Sequence, residues 1–163
     1  MCIWPDHIIE HFAENGGITP LNKDNINPAS YDLSTSLVAT TTGSHDLKSA
    51  SYQFYPGEII RCCSEEIIKL PRNVGAFLVM KSTWGRKLTF LAHTGWLDPG
   101  FEGQPVWSIM NKCLGRIELP YKVRICQLVF MEICFGGAKV PYNLKDTSHY
   151  KGSKGLSKVV EDV

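Results

Sequence analysis

A single carboxylate set among glycines is where this sequence first offers chemistry. The run Gly95-Trp96-Leu97-Asp98-Pro99-Gly100-Phe101-Glu102-Gly103 places Asp98 in a hairpin whose glycines let a second backbone or a ligand approach closely. An aspartate held this way can orient and activate a water. An Asp-Pro-Gly turn whose carboxylate only caps its own backbone has the same composition, so the segment alone leaves both readings open.

Four further groups could act with it. Lys81-Ser82-Thr83-Trp84-Gly85-Arg86-Lys87 packs cations, hydroxyls and a glycine directly after an apolar strand. Amides and hydroxyls in such a turn can cradle phosphate and Arg86 supplies a fork; a solvated turn is the plain alternative. Asp32, in Asn27-Pro28-Ala29-Ser30-Tyr31-Asp32-Leu33, could hold Mg²⁺ through water. Gln127 falls in a long apolar strand on the predicted face of Val123, Ile125 and Val129, where it needs a partner, either a ligand phosphate or a backbone group. His93, near a strand end, is an acid, base or ligand candidate or a structural histidine.

The elements that must position these groups are short. Pro5 and Asp6 start a helix, Ile8, Ile9, Phe12 and Ala13 recur at helical spacing, and Asn15-Gly16-Gly17 ends it. After it, apolar β-branched and aromatic runs at 58–63, 75–82, 87–93, 104–111, 115–119 and 122–134 alternate with turn signals, the pattern of a sandwich or barrel. Residues 40–51 read as a polar excursion. From Tyr142 the composition turns to Lys, Ser, Gly, His and Tyr, predicting an arm over 142–163 that is flexible until an anion orders it.

With 163 residues, 44% hydrophobic, the chain suits one domain over 1–163. A net charge of +1 provides no field for nucleic acid or an anionic membrane, so any phosphate binding is local. No apolar run approaches the roughly 18 to 20 residues of a membrane span, and no secretory signal opens the chain. Six cysteines without CxxC spacing read as reduced thiols, and with the missing signal they predict a cytoplasmic protein. There is no Walker loop, GxGxxG or HExxH, and the absence of HxE with PCxxC excludes the zinc deaminase mechanism.

Taken in chain order, the segments resemble the dUTPase and dCTP deaminase superfamily. Residues 27–33 are similar to its PASxDL segment, Pro56-Gly57-Glu58 to its PGE turn, residues 81–86 to RSSxxR, residues 95–103 to GxIDPGFEG, and Arg124-Ile125-Cys126-Gln127-Leu128 to RIAQL. Pro141-Tyr142-Asn143 with His149-Tyr150-Lys151-Gly152 and Gly155 resembles the deaminase-type arm. The resemblance implies an all-β fold, a distorted β-barrel or jelly roll of the dUTPase-like (β-clip) type, with a short N-terminal helix over 1–17. It also implies a pyrimidine deoxynucleoside triphosphate ligand, Mg²⁺, and a homotrimer with sites between subunits.

Deaminases of this family carry a proton-shuttling glutamate in the pattern DPGFxGxxxLExxN, and here Ser108 stands at that position. A serine hydroxyl cannot alternate as acceptor and donor at pH 7, which costs on the order of 100- to 10,000-fold. Asp98 matches the aspartate that orients the water attacking the α-phosphorus. The motifs therefore predict a nucleotide hydrolase, converting dUTP or a related pyrimidine dNTP to the monophosphate and pyrophosphate. Asp98, Ser82 and Arg86 would be catalytic, and Asp32 an outer-shell Mg²⁺ ligand. Lys81, Thr83 and Gln127 would hold phosphates, Thr94, Gly95 and Ser108 would shape the base site, Phe101 would lie against the sugar, and Tyr142, His149 and Lys151 would close the arm. Two alternatives stand beside it: a dCTP deaminase in which Glu102 or a water on Ser108 replaces the glutamate, and a non-catalytic nucleotide sensor or protein-binding decoy.

Overall fold

The structure is a computed structural model and describes residues 2–40, 43–87, 89–91 and 95–156. Helix α1 (Asp6–Phe12) begins after Pro5 and widens into a last turn over Ala13–Gly17, where Gly16 takes φ +84°. A residue with a Cβ would be strained at that angle, which is why the Asn-Gly-Gly signal ends the helix. Trp4, Phe12 and Phe130 pack their rings 5.4, 5.5 and 5.7 Å apart and seat the helix on the sheet.

The remainder is antiparallel β structure. The strands are β1 (Ile18–Thr19), β2 (Ile26–Asn27), β3 (Ser30–Ala39), β4 (Ser44–Asp46), β5 (Tyr52–Phe54), β6 (Ile59–Ser64), β7 (Ile67–Lys69) and β8 (Val74–Met80). After helical turn α2 (Ser82–Arg86) come β9 (Thr89–Leu91), β10 (Gly95–Leu97), β11 (Glu102–Gly103), β12 (Val106–Asn111), β13 (Ile117–Leu119) and β14 (Arg124–Glu132). The main sheet runs β10-β8-β14-β3-β6-β12-β9, with β2 and β4 also paired to β3; β1-β7-β11 and β13-β5 form two smaller sheets.

Strand β3 curls the sheet. It pairs with β14 and with β6, and the register shifts between Thr35 and Leu37 against β6 and between Arg124 and Gln127 against β14. Such bulges bend a strand and increase its twist, so the two halves close over one core containing Tyr31, Leu33, Phe54, Trp107 and Phe130, each fully buried. Burying each of these side chains contributes about 1.5–3 kcal/mol, which dwarfs any single turn preference. Cys62, Cys63 and Cys126 are free thiols in this core, and burial pushes Cys63 up to about 12 and the other two upward as well. They behave as small apolar residues. Asp32 and Glu66 are buried too: Glu66 accepts from the Ser34 amide at 3.0 and 3.2 Å, and desolvation raises its pKa to about 7.

Four sequence expectations change. The bulge in β14 turns both Ile125 and Cys126 inward, so Gln127 shares its outer face with Val129 and Met131 and not with Ile125. Residues 40–51 contain β4 and the buried Leu47, so this segment is anchored to β3. The phosphate-type segment is a helical turn, fixed by buried Trp84, whose Nε1 donates to the Arg124 carbonyl at 2.9 Å. Finally, the 95–103 segment is not a two-stranded hairpin: β10 pairs with β8 and β11 with β7, in different sheets, so the segment is a turn that crosses between them. Among the described residues no helix is long and apolar enough to cross a membrane.

Candidate active site

The turn that joins β10 to β11, the outer face of β6 and β12, and the arm enclose a cleft of about 760 Å³. The turn between β10 and β11 is closed by the Phe101 amide donating to the Asp98 carbonyl at 2.9 Å, and it is pinned to the body by Gly100 N to Pro71 O at 3.2 Å and Leu70 N to Phe101 O at 2.8 Å. Gly100 has φ +85°, and a Cβ there would lie 2.6 Å from the Pro141 Cβ and 2.9 Å from the Tyr142 nitrogen. Only glycine permits the arm to approach this closely, and Tyr142 N donates to Pro99 O at 2.8 Å across the contact.

The arm is then held at successive points. Tyr150 N donates to the Tyr142 hydroxyl at 3.0 Å, Gly152 N to Glu102 O at 2.9 Å, and Gln104 N to Ser153 O at 2.9 Å. The Gln104 side chain accepts from Gly155 N at 2.5 Å while its amide donates to Ser64 O at 2.9 Å, joining the arm to β6. The sequence analysis did not single out Gln104; only its place after the 95–103 segment marked it.

Asp98 faces the cleft. Its Oδ1 accepts from Trp96 Nε1 at 3.1 Å, so the carboxylate is held by a neighbouring indole and does not cap its own turn. Trp96 is itself fixed: its ring lies over Gly75, where a Cβ would sit 2.3 Å from the indole, and it packs 4.6 Å from Phe77. Oδ2 has no protein partner among the described residues, which leaves it able to accept from a water. Asp98 is the only carboxylate among the residues lining the cleft.

Of the other predicted residues, Gly95, Phe101, Ser108, Tyr142 and His149 line the cleft with Asp98. Phe101 and Tyr142 have ring centroids 6.0 Å apart and form one wall. Ser108 forms the opposite wall, directly across the strands from Arg61, which also lines the cleft. Arg61 and Lys145 were missed, because a lone cation in an apolar strand or a polar arm carries no motif. Thr94 and His93 lie outside the described residues.

The phosphate-type residues gather elsewhere. Lys81, Ser82, Thr83, Arg86, Gln127 and Lys151 do not line the cleft. Lys81 is ion-paired with buried Asp32, which also accepts from Asn27 Nδ2 at 3.0 Å and lies 3.9 Å from Arg124. Gln127 stands opposite Asp32 and accepts from the Ser30 hydroxyl at 2.9 Å, so its partner is a side chain of the next strand. Ser82, Thr83 and Arg86 are exposed on α2. Each oxygen of Asp32 already holds a protein donor, and among the described residues no three His, Cys, Asp or Glu side chains converge as metal ligands. Glu102 lies 3.6 Å from Lys69 and does not line the cleft, which removes it as a stand-in for the glutamate at position 108.

Comparison with known proteins bears on the family and the fold. A family model for a dCTP deaminase-like domain matches residues 3–133. The dCTP deaminase of Thermococcus kodakarensis is 30% identical over 142 residues, covering 86% of this chain and 88% of its own. The dUMP-forming dCTP deaminases of Hydrogenobaculum sp. and Aquifex aeolicus are 38% and 36% identical, the matches covering 53% and 64% of this chain and 51% and 56% of theirs. The chain thus spans about half the length of these two relatives. Among solved structures, a dCTP deaminase from Agrobacterium tumefaciens superposes with a TM-score of 0.70 at 20% identity, covering 78% of this chain and 48% of that one. A dUTPase from Staphylococcus bacteriophage 80alpha gives 0.52 at 18%, covering 75% and 92%. At these identities the two structures speak for the dUTPase-like fold.

Proposed function

This chain belongs to the dCTP deaminase-like family, and from that premise we propose that it binds a pyrimidine deoxynucleoside triphosphate under the arm and directs a water at it. The observation that carries the reading is the cleft: Asp98, Phe101, Ser108 and Tyr142 line it together, at the places where the family resemblance puts the water, the sugar, the proton shuttle and the arm. The names of the relatives favour deamination of dCTP over the dUTP hydrolysis expected from the motifs, so dCTP is the nucleotide to try first.

In deamination, water adds at C4 of cytosine and ammonia leaves. A proton must also travel from that water to the departing nitrogen, the work that the family resemblance gives to position 108 and not to Asp98. Ser108 offers only a hydroxyl on that wall, so the reaction runs slower than with a carboxylate by about 100- to 10,000-fold. A second reading is favoured by one observation, that Asp98 is the cleft's sole carboxylate and keeps Oδ2 open. Water aimed at the α-phosphorus needs no shuttle at position 108, and it releases pyrophosphate, whose charge must be neutralised.

Within the cleft, Lys145 and His149 are near enough to serve an anionic ligand. Ser82 and Arg86, exposed and away from the cleft, would reach it from a neighbouring subunit, which is the reason to propose a homotrimer with shared sites. Magnesium would then belong to the triphosphate and not to Asp32. The test is to incubate the protein and Mg²⁺ with dCTP and dUTP separately and resolve the products by chromatography. dUTP or dUMP from dCTP supports the deaminase, dCMP or dUMP without base change supports the hydrolase, and no product from either nucleotide refutes both.

A further inference from the structure

We propose that Arg61 sets the base preference of this cleft toward a 4-oxo pyrimidine, by presenting a guanidinium where uracil offers a carbonyl oxygen and cytosine an amino group. The inference rests on the nucleotide reading above and goes beyond it by naming the base.

Arg61 on β6 is the direct antiparallel partner of Ser108 on β12. Such partners share one face of the sheet with Cβ atoms about 4.5–5.5 Å apart, and here both line the cleft. The wall that the resemblance assigns to the base is therefore a guanidinium next to a hydroxyl. A guanidinium has five N–H donors and no acceptor. Among the described residues it makes no hydrogen bond or ion pair, although Arg61 is half-buried. Asp98, the carboxylate that lines the same cleft, has one oxygen committed to Trp96.

An unpaired, partly desolvated cation is relieved by a ligand oxygen and aggravated by a ligand N–H. The 4-oxygen of uracil accepts from Arg61 and from Ser108. The 4-amino group of cytosine turns its hydrogens toward guanidinium hydrogens, and only the Ser108 oxygen can receive one. Under the deaminase reading the favoured ligand is the product, which is then released slowly. Under the hydrolytic reading it is the substrate.

The test is calorimetric binding of the α,β-imido analogues of dUTP and dCTP to the wild-type protein, to Arg61→Leu and to Arg61→Lys. A hydrogen bond to a charged donor corresponds to a preference for the uracil analogue of about 10- to 100-fold in the wild type. Arg61→Leu should bring the ratio to within about threefold by weakening the uracil analogue alone, while Arg61→Lys, with charge but no fork, should keep part of it. Both ligands are compared on one protein sample, so partial misfolding scales them together and leaves the ratio intact. Equal or tighter binding of the cytosine analogue by the wild type, or an unchanged ratio in Arg61→Leu, overturns the role of Arg61. If neither analogue binds the wild type, the nucleotide reading fails first and takes this inference with it.

Discussion

Restoring a carboxylate at position 108 should return deamination to this cleft, but not by the single substitution Ser108→Glu. Ser108 lies on the cleft wall across from Arg61, so a glutamate there would meet the guanidinium directly. A carboxylate beside an arginine has its pKa lowered by about 1–3 units, which keeps it ionised and makes it a poor donor to departing ammonia. The missing shuttle is worth about 100- to 10,000-fold, or roughly 3–5 kcal/mol of barrier at about 1.4 kcal/mol per decade. An ion pair that suppresses the donor half of the cycle removes about one to three of those decades. Ser108→Glu should therefore gain about tenfold or less, whereas Ser108→Glu with Arg61→Leu should gain about 100-fold or more, a coupling far from additive. Ammonia release and the deaminated nucleotide, followed from dCTP under single-turnover conditions, measure both. A double variant no faster than the wild type would refute the assignment of position 108 as the lost shuttle. A single variant as fast as the double would refute the account of Arg61.

Other consequences follow from the same geometry. Asp98→Asn should lower turnover by at least about 100-fold on whichever nucleotide is processed and leave the melting temperature unchanged, whereas Trp96→Phe should lower kcat by about tenfold with little change in KM, since it removes only the donor to Oδ1. Gly100→Ala should detach the arm, because the new methyl falls on Pro141 and Tyr142; limited proteolysis after residue 141 and a weaker nucleotide affinity would report it. Glu66 gives a pH dependence of stability. Its pKa is raised from 4.5 to about 7 in the folded protein, so between these values the native state binds more protons than the unfolded chain, and stability falls as pH rises. The full swing is about 3 kcal/mol at about 1.4 kcal/mol per unit, present below pH 4.5 and lost above pH 7, and urea midpoints at pH 5 and 7.5 should separate while those of Glu66→Gln coincide.

The parts of this molecule that were legible in the sequence are those where a local rule and the global fold agree. Turn residues bounded the strands, and the glycines of 95–103 marked both the turn and the seat of the arm, since a positive φ leaves a signature in composition. The bulge in β14 left none: Gln127 changes its neighbours because Ile125 and Cys126 are both drawn into the core, a tertiary demand that overrides strict alternation. The contacts of the arm were not legible for a related reason. Its anchors are backbone groups and Gln104, which no hydrophobic count registers, and one apolar ring, Tyr142 against Phe101, suffices once those hydrogen bonds are made.

The same distinction explains the site. Motif reading finds residues that resemble a known set, so Asp98, Ser108, Ser82 and Arg86 surfaced at once, yet it assigns them to a single place. The fold puts Asp98 and Ser108 in one cleft and α2 elsewhere, with Lys81 already neutralised by Asp32. Arg61 is invisible to a motif because its meaning lies in register: only the pairing of β6 with β12 brings it opposite Ser108, the position where the family resemblance puts a carboxylate. The change at position 108 and the cation at position 61 are then two halves of one electrostatic alteration. On the reading proposed above, the cleft wall would donate hydrogen bonds where the family resemblance puts a proton-accepting carboxylate, and the ligand that fits it best would carry an oxygen where cytosine carries nitrogen.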